Sequence, residues 1–338
     1  MFILLDEEDG IEEDYTEDYS EDNWYFFEGR DVEYVDGVIS LTPAIIQMLL
    51  RDVGEITLDD GTVLNSENAT KVLQYDLYHK YFDVDTMTDQ SNSKADSLFA
   101  ETAKIVMKEF VSSFEISKFA DYYEIFKEGI EKNIILMWMR DEAEEKIIDE
   151  AGCSGQLNHD PKNPELGVYF SLADPSKMGW YLDMTTDIGE PKSNSDGTST
   201  YDVTVTLSNV ISQKDVINSA WYITGSYGGS IMGFIHIFAP SEGHFEEWDT
   251  NNGMYLYDSI YHDLEVIFTQ GVIIEPGEDI EITFQVTTDR RAEAPLKVRQ
   301  TPTLTEYRNS GGATGAEDDW DVNYNENEWN DGNDWDLQ

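Results

Sequence analysis

Basic side chains are scarce in this chain: 21 Lys and Arg stand against 70 Asp and Glu, for a net charge of −49. A surface so charged repels polyanions, which excludes ordinary nucleic-acid binding and disfavours docking on anionic lipid head groups. Cysteine is rarer still. Cys153 stands alone, so there is no internal disulfide framework, although one thiol does not fix the compartment. Histidine occurs five times, and no arginine lies between Arg51 and Arg140. Long apolar runs are missing too: residues 134–139 form only a strand-length run, far short of a membrane span. Residues 1–5 are apolar but lack the basic flank and cleavage site of a signal peptide. The expectation is that any membrane association runs through a segment not present in this chain.

What is abundant is acid and aromatic. Residues 6–22 hold 11 carboxylates and residues 317–336 hold nine, neither stretch with any Lys or Arg. Solubility of an exported acidic protein, a halophilic origin and imitation of nucleic acid all account for such a surface. The 19 Tyr, 15 Phe and 8 Trp argue against a simple disordered polyanion, because aromatics at that level imply packed cores or adhesive surfaces.

The densest local signals lie in residues 36–82. Val38, Ile39 and Leu41 after the Asp36-Gly37 turn predict a short strand. A helix follows, with Thr42 as N-cap, Pro43 in its first turn, an apolar stripe of Ile45, Ile46, Leu49 and Leu50, and Gly54 as terminator. Asp59-Asp60-Gly61 turns a hairpin, and Asn65 or Ser66 caps a second helix carrying Val72, Leu73, Tyr75 and Leu77. Residues 83–93 are polar and predict a loop; Ser93 then caps a long helix. Another begins at Ser117, with Phe119, Tyr122, Tyr123, Phe126 and Ile130 expected on its core side. Residues 134–139 predict a strand covered on both faces, and Asp141 caps a charged helix that stops at Gly152.

Beyond Gly155 the pattern changes to strands and turns. Residues 167–172, 178–184, 200–208, 231–238, 264–269 and 280–287 read as strands. The expected fold is α+β: an acidic segment over 1–32, an α/β layer domain over 33–152, an antiparallel, immunoglobulin-like β-sandwich over 153–300 and a disordered Trp- and Asn-rich tail over 301–338.

The strand, helix, hairpin and helix over residues 36–82 resemble the actinobacterial cell-envelope family known as domain of unknown function 4012, as the C-terminal part of its domain. The residues that carry the resemblance are Asp36-Gly37-Val38-Ile39 with Pro43, Gly54 through Leu64, and Asn68 with Tyr75, Tyr78 and Tyr81. Further on, Val168-Tyr169-Phe170, Lys177-Met178, Tyr181-Leu182, Thr204 to Asn209 and Tyr222-Ile223-Thr224-Gly225 extend it across most of residues 33–290. The resemblance implies an extracellular or cell-surface setting and no assigned activity. Such domains usually sit behind a transmembrane segment, so the resemblance implies either a fragment or truncated product of a longer anchored protein or an export signal that lies elsewhere.

Candidates for chemistry are few. Glu242, His244 and Glu246, with Glu247 beside them, form the one local cluster able to hold a divalent metal; a solvated turn is the commoner meaning of such a group. Asp83, Asp85 and Asp89 resemble a calcium loop but lack its Gly and closing Glu. Cys153 has no nearby basic partner in sequence to activate it. The Gly-rich residues 225–230 match neither a phosphate loop nor a nucleophile elbow and read as a flexible connection. No cofactor is expected.

Two functions follow as expectations. One is a non-catalytic envelope protein that binds cell-wall glycan or another envelope protein, its Trp-bearing tail being a possible docking segment. The other comes from a weaker likeness to LytR-CpsA-Psr phosphotransferases, which attach lipid-linked glycans to the cell wall. Those enzymes neutralise a pyrophosphate with several guanidinium groups, and the helix after the hairpin offers only Lys71 and Lys80.

Overall fold

The computed structural model describes residues 2–5, 36–81, 89–112 and 116–310. The expected acidic segment apart from residues 2–5, the calcium-like loop apart from Asp89, and the Trp-bearing tail from Gly311 lie outside them. Described helices and strands are combined as an α+β chain, and its sheets are mostly antiparallel.

Strands β1 (Phe2–Leu5) and β2 (Gly37–Leu41) pair antiparallel, and β2 also pairs antiparallel with β5 (Ile135–Met139). Helix α1 (Ala44–Val53) lies in the middle of the adjoining core. All of its first seven residues are buried, not just the expected stripe. Gln47 is among them, and its Oε1 accepts the backbone N–H of Thr70 at 2.9 Å. The cap departs from expectation as well. Thr42 uses its backbone N–H on Ile134 O, while its buried hydroxyl has no partner among the described residues. Gly54, at φ 87°, closes the helix by donating to Leu50 O.

The hairpin of β3 (Ile56–Thr57) and β4 (Val63–Leu64) turns through Gly61 at φ 82°. Asn65 then caps the next helix: its Oδ1 accepts from the N–H of Glu67 and Asn68, and its carbonyl from Ala69 N. That helix has three parts, α2 (Ala69–Lys71), a π-helical turn (Val72–Asp76) and α3 (Leu77–Tyr81).

Helix α4 (Asp89–Ser112) begins before Ser93, so part of the expected loop is helical. Helix α5 (Phe119–Glu131) buries Tyr122, Ile125 and Gly129, whereas Phe119 is 63% exposed and Tyr123 and Phe126 face outward. The aromatic stripe is therefore rotated from the true core face, which follows the i, i+3, i+7 line through Ile125. Helix α6 (Glu142–Glu150) is capped as expected by Asp141, whose carboxylate accepts from Ala143 N and Glu144 N. Strand β5 leaves Trp138 exposed, so it is not covered on both faces.

The remaining chain forms two larger sheets. One contains β6 (Glu165–Leu172), β10 (Ile231–Phe238), β12 (Tyr257–Tyr261), β13 (Leu264–Phe268), β14 (Val272–Ile274) and β16 (Lys297–Gln300); its main path is β12-β13-β10-β6-β16, with β14 on β10. The β16–β6 pair is parallel. The other contains β7 (Leu182–Ile188), β8 (Lys192–Ser193), β9 (Ser199–Asn209), β11 (His244–Thr250) and β15 (Asp279–Thr288), in the order β11-β15-β9-β7 with β8 on β9. Alternate residues of both sheets, such as Val168, Ile235, Val205 and Ile282, meet in one apolar core. The first half of the expected 178–184 strand is instead a 3-10 turn, Met178–Trp180.

Short helices α7 (Gln213–Asn218) and α8 (Trp221–Thr224) follow β9, and α9 (Thr305–Ser310) follows β16. Helix α9 lies inside the segment expected to be a disordered tail. It is folded because Tyr307 inserts into the core around α1. Among the described residues no helix is long and apolar enough to cross a membrane.

Leu73 is fully buried in the π-helical turn, and Leu73→Ala should cost about 2–5 kcal/mol as transfer and cavity terms combine. Urea denaturation measures it; a loss under 1 kcal/mol, roughly the size of a surface change, would contradict this packing.

Candidate functional site

The helix of residues 69–81 faces two ways. Val72, Leu73 and Leu77 join the core around α1, while Tyr78 joins the two-sheet core and Tyr75 packs against it. At about 100° per residue, Leu73 and Leu77 lie on one side of the helix and Tyr75 and Tyr78 on the other, so one segment serves two cores.

Asp215 is the polar centre of this seam. Ser212 caps α7 by accepting Asp215 N, which places the carboxylate in the first helical turn. Its two oxygens accept different phenols: Tyr75 donates to Oδ1 at 3.0 Å and Tyr181 to Oδ2 at 3.3 Å. Burial, followed by the negative charge of Asp215, pushes both tyrosines well above the usual phenol range. They are therefore hydrogen-bond donors at neutral pH and unsuited to act as bases.

His79 lies against the Tyr75 ring, with centroids 4.1 Å apart, and its Nε2 is 3.3 Å from Ser219 Oγ. Burial holds its pKa below the ordinary 6.5, despite the opposing charges of Asp215 and Asp76. Ser219, His79 and Asp215 are the residue types of a hydrolase triad, but their geometry differs from one. Both Asp215 oxygens serve tyrosines, His79 Nδ1 is buried without a partner among the described residues, and Ser219 is only 7% exposed. A triad needs the carboxylate on Nδ1 to orient the base, and a nucleophile that substrate can reach.

A cation bridges the same seam. Lys177 Nζ lies 4.4 Å from the centre of the Tyr78 ring and 5.4 Å from that of Tyr222, and the two rings are 6.0 Å apart. Beside them the Gly-rich 225–230 segment is pinned: Ser226 N–H and O–H both donate to Asp174, and Ser230 donates to Glu275. Gly225, at φ 71°, has no room for a Cβ because Asp174 occupies that space. The segment is a held turn, where sequence predicted a flexible connection.

Helix α9 closes the other end. Arg308 donates to Trp180 O at 2.7 Å and pairs with Asp183, which also accepts Thr305 Oγ1. Lys132 joins Glu306 to Glu128, and Arg51 takes Glu128 in a two-pronged pair. A cleft of about 320 Å³ opens there, lined by Thr42, Asn133, Thr303 and Tyr307 among others. Its cation, Lys132, is neutralised by Glu128 and Glu306.

The candidates read from sequence lie elsewhere. His244 and Glu246 share one side of β11 at 3.1 Å, but Glu242 turns to Arg291 at 3.6 Å. No group of three or more His, Cys, Asp or Glu among the described residues is arranged to hold a metal. Cys153 is buried, its thiol 3.4 Å from Ile148 O, and burial raises its pKa. Arg140 pairs with Asp36 at 3.3 Å. Asp215, Ser219 and His79 were not recognised as site residues; the Ser212-to-Asp215 spacing marks a capped helix, and nothing in the local sequence points across 140 positions to Tyr75.

The tyrosines of the 69–81 helix, Lys177, Tyr181 and Tyr222 lie far apart in the chain yet meet here, and the first of these sets bears on the chain's relationships. Residues 22–78 match the family described as Protein of unknown function (DUF4012). The DUF4012 match includes Tyr75 and Tyr78 and ends before the two-sheet region, so it covers less than the resemblance drawn over residues 33–290. No curated protein and no solved structure matches the chain.

Two measurements check the seam. Tyr181→Phe removes a hydrogen bond to the half-buried Asp215 carboxylate and should cost about 1–3 kcal/mol. Because the folded pKa of Tyr181 is raised, its stabilisation is present below pH 10.0 and fades above it, so the variant should show a shallower alkaline loss of stability. Arg51, against the opposing effect of burial and with help from Lys132, lowers the Glu128 pKa from 4.5 to about 2. The ionised form therefore stabilises the fold above pH 4.5, and the benefit disappears as pH falls towards 2. Glu128→Gln should lower stability at pH 7 by roughly 1 kcal/mol or less and converge with the parent in acid; parallel stability curves over that range would contradict the pairing.

Proposed function

We propose that this chain is a non-catalytic protein of the cell envelope that binds or assembles there, with glycan as its ligand. The observation that carries the reading is the state of the seam, where the carboxylate of Asp215 and the cations around α9 are committed to holding the fold. Asp215 is occupied by two phenols, and Arg51, Lys132 and Arg308 are paired with carboxylates. A pyrophosphate would need guanidinium forks that these contacts already engage, which weighs against the LytR-CpsA-Psr-like alternative.

The envelope setting, extracellular location and actinobacterial source rest on the resemblance. The division into a 33–152 unit and a 153–300 immunoglobulin-like sandwich rests on strand spacing and on the two mostly antiparallel sheets with a common core. Such a body is an aromatic-rich, acid-coated scaffold, and pyranose rings are bound by aromatic faces with hydrogen-bonding side chains around them.

The test is co-sedimentation of the purified chain with isolated bacterial cell walls, before and after enzymatic removal of their polysaccharide. Retention lost with the polysaccharide is expected. No retention on intact walls would reject the glycan reading, and turnover of a lipid-linked glycan with magnesium present would replace it with phosphotransfer.

A further inference from the structure

The outer face of the six-stranded sheet bears a feature unlike the rest of this acidic molecule. Tyr169 of β6, His236 of β10, Phe268 of β13 and Tyr257 of β12 are direct cross-strand neighbours, forming one row over four strands. Flanking residues Val168, Phe170, Ile235, Ile237 and Ile267 point into the shared core, so strand alternation puts the row on the opposite face, where its four residues are half-buried and Tyr169 and Phe268 pack against a small cluster of Phe238, Leu264 and Val266. His236 and Phe268 are nearly parallel, 6° apart in plane with centroids 5.8 Å apart. Phe268 and Tyr257 follow at 5.7 Å and 29°. Tyr255 stands edge-on to Tyr257 at 4.7 Å and is 71% exposed, which extends the row to the open edge of the sheet.

The charge pattern narrows what fits. Strand β10 contains no Asp, Glu, Lys or Arg, although the chain has 70 acids. Glu265, the acid of β13, accepts Phe245 N–H from the opposite sheet, and Glu165 at the start of β6 is paired with Arg299 at 3.2 Å. A polyanion would be repelled by the net charge of −49, and a polycation finds no carboxylate in the row. Rings with phenol and imidazole groups suit a ligand that is uncharged, apolar on one face and rich in hydroxyls. Steps of 5.7 and 5.8 Å are close to the length of one pyranose along an extended chain.

We propose that the row Tyr169, His236, Phe268 and Tyr257, continued by Tyr255, is the binding platform for a neutral polysaccharide chain. The assignment rests on the glycan reading above and gives it a site. A chain laid across the strands stacks on successive rings, while the Tyr hydroxyls and the His236 imidazole hydrogen-bond its edges.

Affinity electrophoresis of the full chain in native gels tests this, using β-glucan, mannan, galactan and soluble chitin as neutral probes and a polyuronate as the anionic one. At least one neutral polymer should retard the protein and the polyuronate should not. Tyr257→Ala and Tyr255→Ala should each weaken that retardation by about tenfold in apparent affinity, and Tyr257→Phe, which keeps the ring and loses one hydroxyl contact, should weaken it less than Tyr257→Ala does. Tyr227→Ala, on the pinned loop elsewhere, is the control and should bind as the parent does. Circular dichroism of each variant separates lost binding from lost fold; Tyr255, being largely exposed, remains informative if Tyr257→Ala unfolds. Wall retention with unchanged binding by both alanine variants would overturn the platform and leave the glycan function standing. Failure of the parent to bind walls and every probe would overturn both. A dimer that dissociates on Tyr255→Ala would assign this face to a second copy of the chain instead.

Discussion

One helix has to satisfy two hydrophobic cores, and the rest of the arrangement follows from that requirement. At about 100° per residue, Leu73 and Leu77 fall on one side of residues 69–81 and Tyr75 and Tyr78 on the other, so the segment carries two faces that both need cover. It includes the π-helical turn at Val72–Asp76. The consequence of the two faces is a seam containing phenols, which bring polar atoms into a partly buried place. Asp215 resolves the problem by accepting both, and the cap from Ser212 holds Asp215 there.

Electrostatics shapes the molecule in a second way. With so few cations, their locations matter more than their number. Arg51, Lys132 and Arg308 join segments distant in sequence, linking α1 to α5, α5 to α9 and α9 to the start of β7. Exposed ion pairs contribute little individually, so their effect lies mainly in relieving repulsion among clustered carboxylates and in setting registry. The outer face of the six-stranded sheet is the exception to this regime. Charge is kept off its central row, and aromatic rings take its place.

The functional picture depends on separating residues that look reactive from residues placed to react. Ser219, His79 and Asp215 lie together, but the hydrogen bonds of Asp215 go to Tyr75 and Tyr181, which makes the group a buried polar network. Residues 22–78 bear the DUF4012 family match, and the tyrosines in that segment are structural partners of Lys177, Tyr181 and Tyr222. The match thus includes one side of an internal contact whose other side lies about a hundred residues or more away in the chain.

Much of the local architecture was legible in the sequence. The strand at Ile231–Phe238, the Asp59-Asp60-Gly61 hairpin and the caps at Asn65 and Asp141 all follow from side-chain and backbone chemistry within a few residues. The aromatic stripe on α5 was misleading because Phe119 and Tyr123 are apolar by type yet face outward once Ile125 and Gly129 dock. Helix α9 was hidden because its only strong apolar anchor, Tyr307, needs a core built from residues far upstream. By itself the sequence determined the charge, the α+β order and most turns, since those depend on composition and short-range hydrogen bonding. Only the tertiary structure decided which tyrosines share Asp215 and which rings form a row across four strands, because both depend on long-range register, and register is set by packing the whole core at once.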